Sequence, residues 1–358
     1  MSARTLLRID GLPVLQNRVY SSANAARAAS RGNMDLVQDD DAGFVRNRAF
    51  DPALMHYDAD YQNEQGCSEV FQGHLDQVMQ VLRGHLGARS LIEIGCGKGT
   101  FLNHLRAAGF DATGVDPAYE GDSPHVVKAP FTAELGLPPA GAIVLRHVLE
   151  HVEQPMGFLR AIADANGGRG TIYIEVPCLD WIRTHRAWFD IFYEHVNYFR
   201  PGDFHRMFGQ VHEAGHLFGG QYQYVVAELA SLRDPASCGP AERVDLSKEF
   251  MSGIVRCAAL ASATEGPKAL WGASSKGVIF AHHLAQADVG FDMAIDINPV
   301  KQGRFMAGVG IPIVAPAAAL ERLSQGALVF VMNSNYFDEI AAQARGRFRL
   351  AKVDQDEL

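Results

Sequence analysis

Leu91-Ile-Glu-Ile-Gly-Cys-Gly-Lys-Gly-Thr-Phe101 decides the fold. Leu91, Ile92 and Ile94 form a short apolar run of the kind found in buried parallel strands. Gly95, Gly97 and Gly99 then let the backbone turn sharply and approach a ligand where a Cβ would collide. From Thr100 to Ala108, Phe101, Leu102 and Leu105 recur at helical spacing, so the turn ends on a helix N-terminus with free N–H groups. The spacing is neither the phosphate-binding GxxxxGK[ST] nor the dinucleotide GxGxxG, because the third glycine falls two residues after the second.

The pattern E-x-G-x-G-x-G resembles motif I of the class I S-adenosylmethionine (SAM) methyltransferases. That resemblance implies SAM as cofactor, with Gly95, Cys96 and Gly97 passing under its methionine part and Glu93 holding the methionine ammonium. Cys96 fills a position that needs a small residue. Gly114-Val-Asp-Pro117 closes a second apolar strand with a carboxylate at its tip, Asp116, twenty-one residues after Gly95. Asp116, followed by Pro117, is placed to accept the ribose hydroxyls, as an acid ending the second strand does in doubly wound nucleotide folds.

With 358 residues and 47% hydrophobic content, the chain suits two or three domains with substantial cores. No run approaches the roughly 18 apolar residues of a membrane span. The N-terminus lacks a signal-peptide pattern, so a cytoplasmic location is expected. A net charge of −9 argues against a nucleic-acid partner and for a small-molecule substrate. Cys67, Cys96, Cys178, Cys238 and Cys257 form no CxxC pair, which fits a reducing compartment without structural zinc.

Three regions are expected: an N-terminal substrate-covering segment over 1–68, a methyltransferase domain over 69–232, and a C-terminal α/β domain over 241–358. The first reads as short strands and loops. Its aromatic end, Phe50 to Tyr61, packs near the catalytic domain, where Tyr57 and Tyr61 either reach a site or fill the seam. Val70 to Leu86 has the spacing of an amphipathic helix. Strands near 90–94, 111–115, 142–147 and 171–175 alternate with helices near 99–108 and 155–166, the signature of a parallel α/β sheet. Val211 to Phe218 and Gln221 to Glu228, parted by Gly219-Gly220, read as an antiparallel hairpin. The expected fold class is therefore α/β: a class I methyltransferase, Rossmann-like, with a seven-stranded sheet ending in that hairpin. A second, smaller α/β domain follows, opening with a helix over Arg243 to Thr264. Its strand and glycine turn at Ala269 to Gly277 are followed by Asp296, 24 residues after Gly272.

Strand four runs into Val144-Leu-Arg-His-Val-Leu-Glu-His-Val152, and carboxyl ends of parallel strands are where open α/β sheets bind ligands. His147 and His151 thus point at the cofactor crevice. Spaced four apart, they raise a metal site, but no HExxH and no third ligand accompany them, and no metal is expected. The aromatic stretch Trp181 to Phe199 contains Glu194-His195, which is either a general-base pair or a structural hydrogen-bonding pair.

Taken together, DxxLMxYDxDYxN (Asp51 to Asn63), EIGCGKGTFL, HVLEHV, YEHVNYF and the late WGASSKG…DINPVKQGR…GVGIPI block are similar to deoxysugar C-methyltransferases. The resemblance covers nearly the whole chain. It implies methylation at C3 of a nucleotide-linked 4-keto-6-deoxysugar in natural-product biosynthesis, with His195 as base aided by Glu194, and with His151 and Tyr61 lining the site. It places Tyr57, Tyr198, Lys276, Asn298 and Lys301 with the substrate, the last three near a nucleotide diphosphate or the domain interface. Two features depart from the family. Its zinc-binding cysteines are absent from residues 1–60, and Phe192 replaces the tyrosine of Tyr-x-Glu-His. An O- or N-methyltransferase of a sugar or other precursor is the alternative. A non-catalytic scaffold and an NAD-dependent oxidoreductase fit the residues less well. Oligomeric state is not readable from the sequence.

Overall fold

The computed structural model describes residues 3–58, 60–64, 66–87 and 89–355. Met1 and Ser2, where a leader was sought, and Ala59 of the aromatic stretch lie outside them. The chain opens with β1 (Ala3–Pro13), β2 (Val19–Tyr20), the short α1 (Ala23–Arg27), β3 (Arg31–Asp39) and β4 (Val45–Asn47). β1 and β3, of 11 and 9 residues, pair antiparallel from Ala3↔Asp39 to Pro13↔Arg31. These strands are longer than the expected short ones, for a visible reason. Gly32, Met34 and Leu36 share the buried face of β3, and a Cβ at Gly32 would collide with the ring of Tyr193. The inward position nearest that ring therefore carries no side chain, and the two-residue period is hidden.

The methyltransferase-like unit follows as α2 (Glu69–Leu86), β5 (Ser90–Ile94), α3 (Thr100–Ala107), β6 (Asp111–Val115), β7 (Val126–Val127), β8 (Ala142–Arg146), α4 (Pro155–Ala165) and β9 (Thr171–Pro177). It continues through α5 (Leu179–Thr184), β10 (Asn197–Tyr198), α6 (Pro201–Met207), β11 (Val211–Leu217) and β12 (Tyr222–Glu228). The seven-stranded sheet runs β7-β6-β5-β8-β9-β12-β11. β12 is antiparallel to both neighbours, and the other pairs are parallel. This is the expected Rossmann-like sheet with its terminal hairpin. Alternate residues feed two layers. Ile92, Ile94, Ile143 and Leu145 meet Leu159 and Ile162 on one face; Leu91, Ala112 and Val144 meet Leu75, Leu82, Phe101 and Leu105 on the other. Each such fully buried aliphatic side chain contributes about 1.5–3 kcal/mol. Strand order reverses at β5, so the crevice at the carboxyl ends of β5 and β8 is the topological switch point.

The last unit contains α7 (Ser252–Ala263), β13 (Lys268–Trp271), α8 (Ser275–Gln286), β14 (Met293–Ile295), β15 (Phe305–Met306), β16 (Ile313–Val314), α9 (Pro316–Arg322), β17 (Leu328–Val331), α10 (Phe337–Ala344) and β18 (Arg349–Lys352). Its five-stranded sheet, β16-β14-β13-β17-β18, is wholly parallel. α7 starts at Ser252 rather than Arg243, because Val244 is captured by the N-terminal sheet. Its N–H donates to Gln38 Oε1 (2.8 Å) and its carbonyl accepts from Arg4 (3.0 Å). The N-terminal segment is joined to both other units, with β4 pairing β10 and β2 pairing β15. No described helix is long and apolar enough to cross a membrane.

Candidate active site

A cavity of ≈ 370 Å³ lies where the carboxyl ends of β5 and β8 face that of β13. At its first end Gly95, Gly97 and Gly99 take φ of +76°, +54° and +80°, a region that side-chain-bearing residues rarely occupy. Gly95 N–H donates to Val115 O (2.8 Å), and a Cβ there would collide with Val148. Asp116 organises the turn, its Oδ2 accepting from Gly97 N–H and its Oδ1 from Ala118 N–H, both at 2.8 Å. Gly95, Cys96 and Gly97 line the cavity, whereas Asp116 and Pro117 stand behind the turn outside that lining.

Glu93 lines the same end. It is 3% exposed and its Oε2 has no partner. Burial pushes its carboxyl up to about 7, with Arg146 opposing and Asp116 reinforcing the shift. An orphaned buried acceptor under a glycine turn fits the ammonium of a bound methionine moiety. His147, with φ +53°, closes this end. Its Nε2 lies 3.0 Å from Glu175 Oε1 and its Nδ1 3.3 Å from Glu150 Oε1. Burial of the ring works against its charge, but the two carboxylates push its pKa up to about 9. Glu175 also takes His74 (3.0 Å), Arg146 (3.1 Å) and the Tyr173 hydroxyl (2.7 Å), and despite burial Arg146, His147 and His74 hold it well below the usual carboxylate range.

The middle of the cavity holds Tyr61, His151, Phe192, Glu194 and His195. Glu194 does not pair with His195 as the sequence suggested. His195 N–H closes a turn on Phe192 O (3.1 Å), and this turn throws the Glu194 carboxylate toward the N-terminal segment. There it accepts from Tyr61 Oη–H (2.6 Å) and Gln16 N–H (2.7 Å). The Glu194 carbonyl accepts from His151 Nδ1 (2.8 Å), which fixes the orientation of that ring. His195 packs against Phe192 with ring centroids 3.9 Å apart, and its buried Nδ1 has no partner. Burial, then the neighbouring His151, His147 and Lys276, hold its pKa well below the usual imidazole range.

The second glycine turn supplies the far end, where Lys276, Asn298 and Lys301 all line the cavity. Lys276 Nζ bridges Asp190 (2.9 Å) and Gln221 Oε1 (3.0 Å). Lys301 is 1% exposed and is committed to Ala273 O (3.3 Å), Ser274 Oγ and Asp296 (3.6 Å). Tyr57 and Tyr198 lie outside the lining. Tyr57 is 45% exposed and meets Tyr61 edge-on at 4.8 Å; the Tyr198 hydroxyl closes on both the N–H and the carbonyl of Phe192.

His147 and His151 do not share a helix face; each joins a different cluster. His74, His147 and Glu175 form one, and Glu150, His151 and His195 the other, with one ligand-type atom per residue within 4.8 Å of the others in its cluster. The Arg146 guanidinium already occupies the first, and we assign a metal to neither. Reading the sequence also missed Glu64, Lys98 and Glu150. Lys98 Nζ donates to Gln62 Oε1 (2.7 Å) and Thr100 Oγ1 to Glu64 Oε2 (2.6 Å), which straps Gln62 and Glu64 over the first turn. Glu150 stood inside HVLEHV, where its acidic charge between two histidines was the available signal.

Residues 60–214 match the family described as Methyltransferase domain, and residues 249–351 the family described as C-methyltransferase C-terminal domain. C-methyltransferase NovU of Streptomyces niveus is 26% identical over 292 residues, covering 68% of this chain and 66% of that protein. The chain therefore spans just under two thirds of that relative's length. Among solved structures, an S-adenosylmethionine dependent methyltransferase from Mesorhizobium loti shares 13% identity at a TM-score of 0.35, over 44% of this chain and 99% of that one. Magnesium protoporphyrin IX methyltransferase from Synechocystis, with bound SAM, shares 16% at 0.32, over 44% and 79%. The first matched stretch, with the strand order and glycine turn described above, has the class I methyltransferase fold, and the second matches a C-methyltransferase C-terminal domain.

Proposed function

We propose that this enzyme C-methylates a nucleotide-linked keto-deoxysugar through an enolate generated by His195. One observation carries the reading: a single cavity joins the orphaned Glu93 carboxylate, the His195 imidazole and the turn of the C-terminal domain. Bound SAM supplies an electrophilic methyl group. Glu93 holds the cofactor's ammonium at one end, with Gly95, Cys96, Gly97 and His147 beneath it and Asp116 fixing the turn. His195, kept neutral by its surroundings, takes the proton beside the acceptor's carbonyl. Tyr61, whose hydroxyl donates to Glu194, and His151, held by the Glu194 carbonyl, flank the acceptor's place beside His195. Lys276 and Asn298, at the far end, suit the nucleotide diphosphate; Lys301 supports them by holding their turn. The C-methyltransferase C-terminal domain and the NovU relative favour a carbon acceptor. A heteroatom acceptor draws support from Phe192, whose ring offers no hydroxyl to a keto oxygen beside His195.

Solvent deuterium exchange into a nucleotide-linked 4-keto-6-deoxyhexose, with S-adenosylhomocysteine bound, tests the reading by mass spectrometry. Exchange at C3 that disappears in His195→Ala, with SAM affinity intact, is the expected result. SAM binding without exchange would falsify the carbon acceptor and turn the search to O- or N-methylation.

A further inference from the structure

Methyl transfer to a protonated acceptor leaves a proton in the site. The new C–C bond takes the electron pair of the old C–H bond, the pair of the S–CH₃ bond returns to sulfur, and one proton per turnover must leave. His195 is a poor place to keep it. The residue is 7% exposed, its ring centroid lies 4.9 Å from that of His151, and His147 and Lys276 add positive charge nearby. A base that resists protonation needs a second group to take the proton onward.

Glu150 has the properties required. It is 1% exposed, lines the cavity, and neither carboxylate oxygen has a hydrogen bond. One of its oxygens, a ring nitrogen of His151 and a ring nitrogen of His195 lie within 4.8 Å of one another. His151 directs its Nδ1 proton away from this cluster, onto the Glu194 carbonyl. Among the described residues the ion-pair partner of Glu150 is His147, 3.3 Å away and with a side chain 26% exposed. A buried carboxylate held by a single ion pair and within reach of two imidazole rings has acceptor capacity left for a further proton.

We propose that Glu150 accepts from His195 the proton taken from the acceptor and so forms the exit that resets the base. The His195 N–H bond breaks and a Glu150 O–H bond forms, directly or across one water, before release past His147. Glu150 acts through His195 and does not touch the acceptor. The proposal rests on the reading of His195 as the base, and it holds equally for a carbon, oxygen or nitrogen acceptor.

The test compares Glu150→Gln, Glu150→Asp and His195→Ala by rapid quench, mixing the SAM-loaded enzyme with a nucleotide-linked 4-keto-6-deoxyhexose. In Glu150→Gln the first turnover stays within about threefold of the wild type while steady turnover falls at least about tenfold, giving a burst of one product per site. Glu150→Asp restores part of the steady rate, and His195→Ala loses burst and turnover together. Without any acceptor, the His195 ring resonance in the S-adenosylhomocysteine complex titrates at least about one pH unit lower in Glu150→Gln, and this decides the matter if the sugar is not turned over. Wild-type turnover in Glu150→Gln with His195→Ala inactive overturns the exit and leaves the base standing. Normal turnover in His195→Ala overturns the base itself. A burst lost in Glu150→Gln, an unmoved His195 titration, or a stoichiometric metal that Glu150→Gln releases each overturns the proposal.

Discussion

The two glycine turns of this chain are built on one plan and put it to different use. In the first, Gly95 N–H reaches Val115 O (2.8 Å) and Asp116 clasps the N–H groups of Gly97 and Ala118. In the second, Gly272 N–H reaches Ile295 O (2.9 Å) and Asp296 clasps Ala273 and Asn298, both at 2.9 Å. The difference lies beside the turns. Glu93 leaves an acceptor without a partner next to the first, whereas the buried ammonium of Lys301 fills the second. A turn of this kind is thus a scaffold, and the unfilled polar group beside it marks the ligand end.

The largest effect that could break this comparison comes from Asp116→Ala. Hydrogen bonds to a charged acceptor are worth about 1.5–3 kcal/mol each, so losing both should weaken SAM binding roughly 100-fold by calorimetry. Asp296→Ala should leave the affinity within about twofold, because its turn does not hold the cofactor; equal losses would erase the distinction. Next comes Glu93→Gln, with about a tenfold loss at pH 8. In the wild type, SAM affinity should fall as pH drops below about 7, since the carboxyl there becomes protonated, and the variant should flatten this slope. Stability of the free protein should carry the opposite sign. A carboxyl raised from 4.5 to about 7 on folding stabilises below pH 4.5, and that contribution is lost as pH rises through 7. Smallest at the cofactor is Lys301→Met. It should leave SAM affinity unchanged while lowering the melting temperature by a few degrees, as about 1–2 kcal/mol of buried hydrogen bonding disappears from the second turn.

Most of the sheet was legible because its signal is local. β5 and its turn, α2 and the β11–β12 hairpin announce themselves through apolar period and glycine spacing. What the sequence concealed depends on distant partners. Gly32 breaks the alternation of β3 only because Tyr193 needs the space, and Val244 leaves the helical register only because Gln38 and Arg4 hold it. At the site, residue types were readable and directions were not. Glu194 and His195 are adjacent in sequence, yet one turn sends the carboxylate to Tyr61 and the imidazole to Phe192. Tyr198, in the same aromatic run, closes on the backbone and never reaches the cavity. Glu150 gained significance only once His195, 45 residues later, was found beside it.

The pairing of β2 with β15 has a consequence in time as well as in space. Val19 and Tyr20 find their partners at Phe305 and Met306, and Arg4 closes on Val244. During synthesis, β2 must therefore wait for residues 305–306 before its own edge is covered. The middle unit, whose seven strands pair among themselves, has no such wait. The segment around β2 is thus finished only after residues 305–306 are made, and Tyr61, which bridges to Arg18 within it, is settled in the cavity with it.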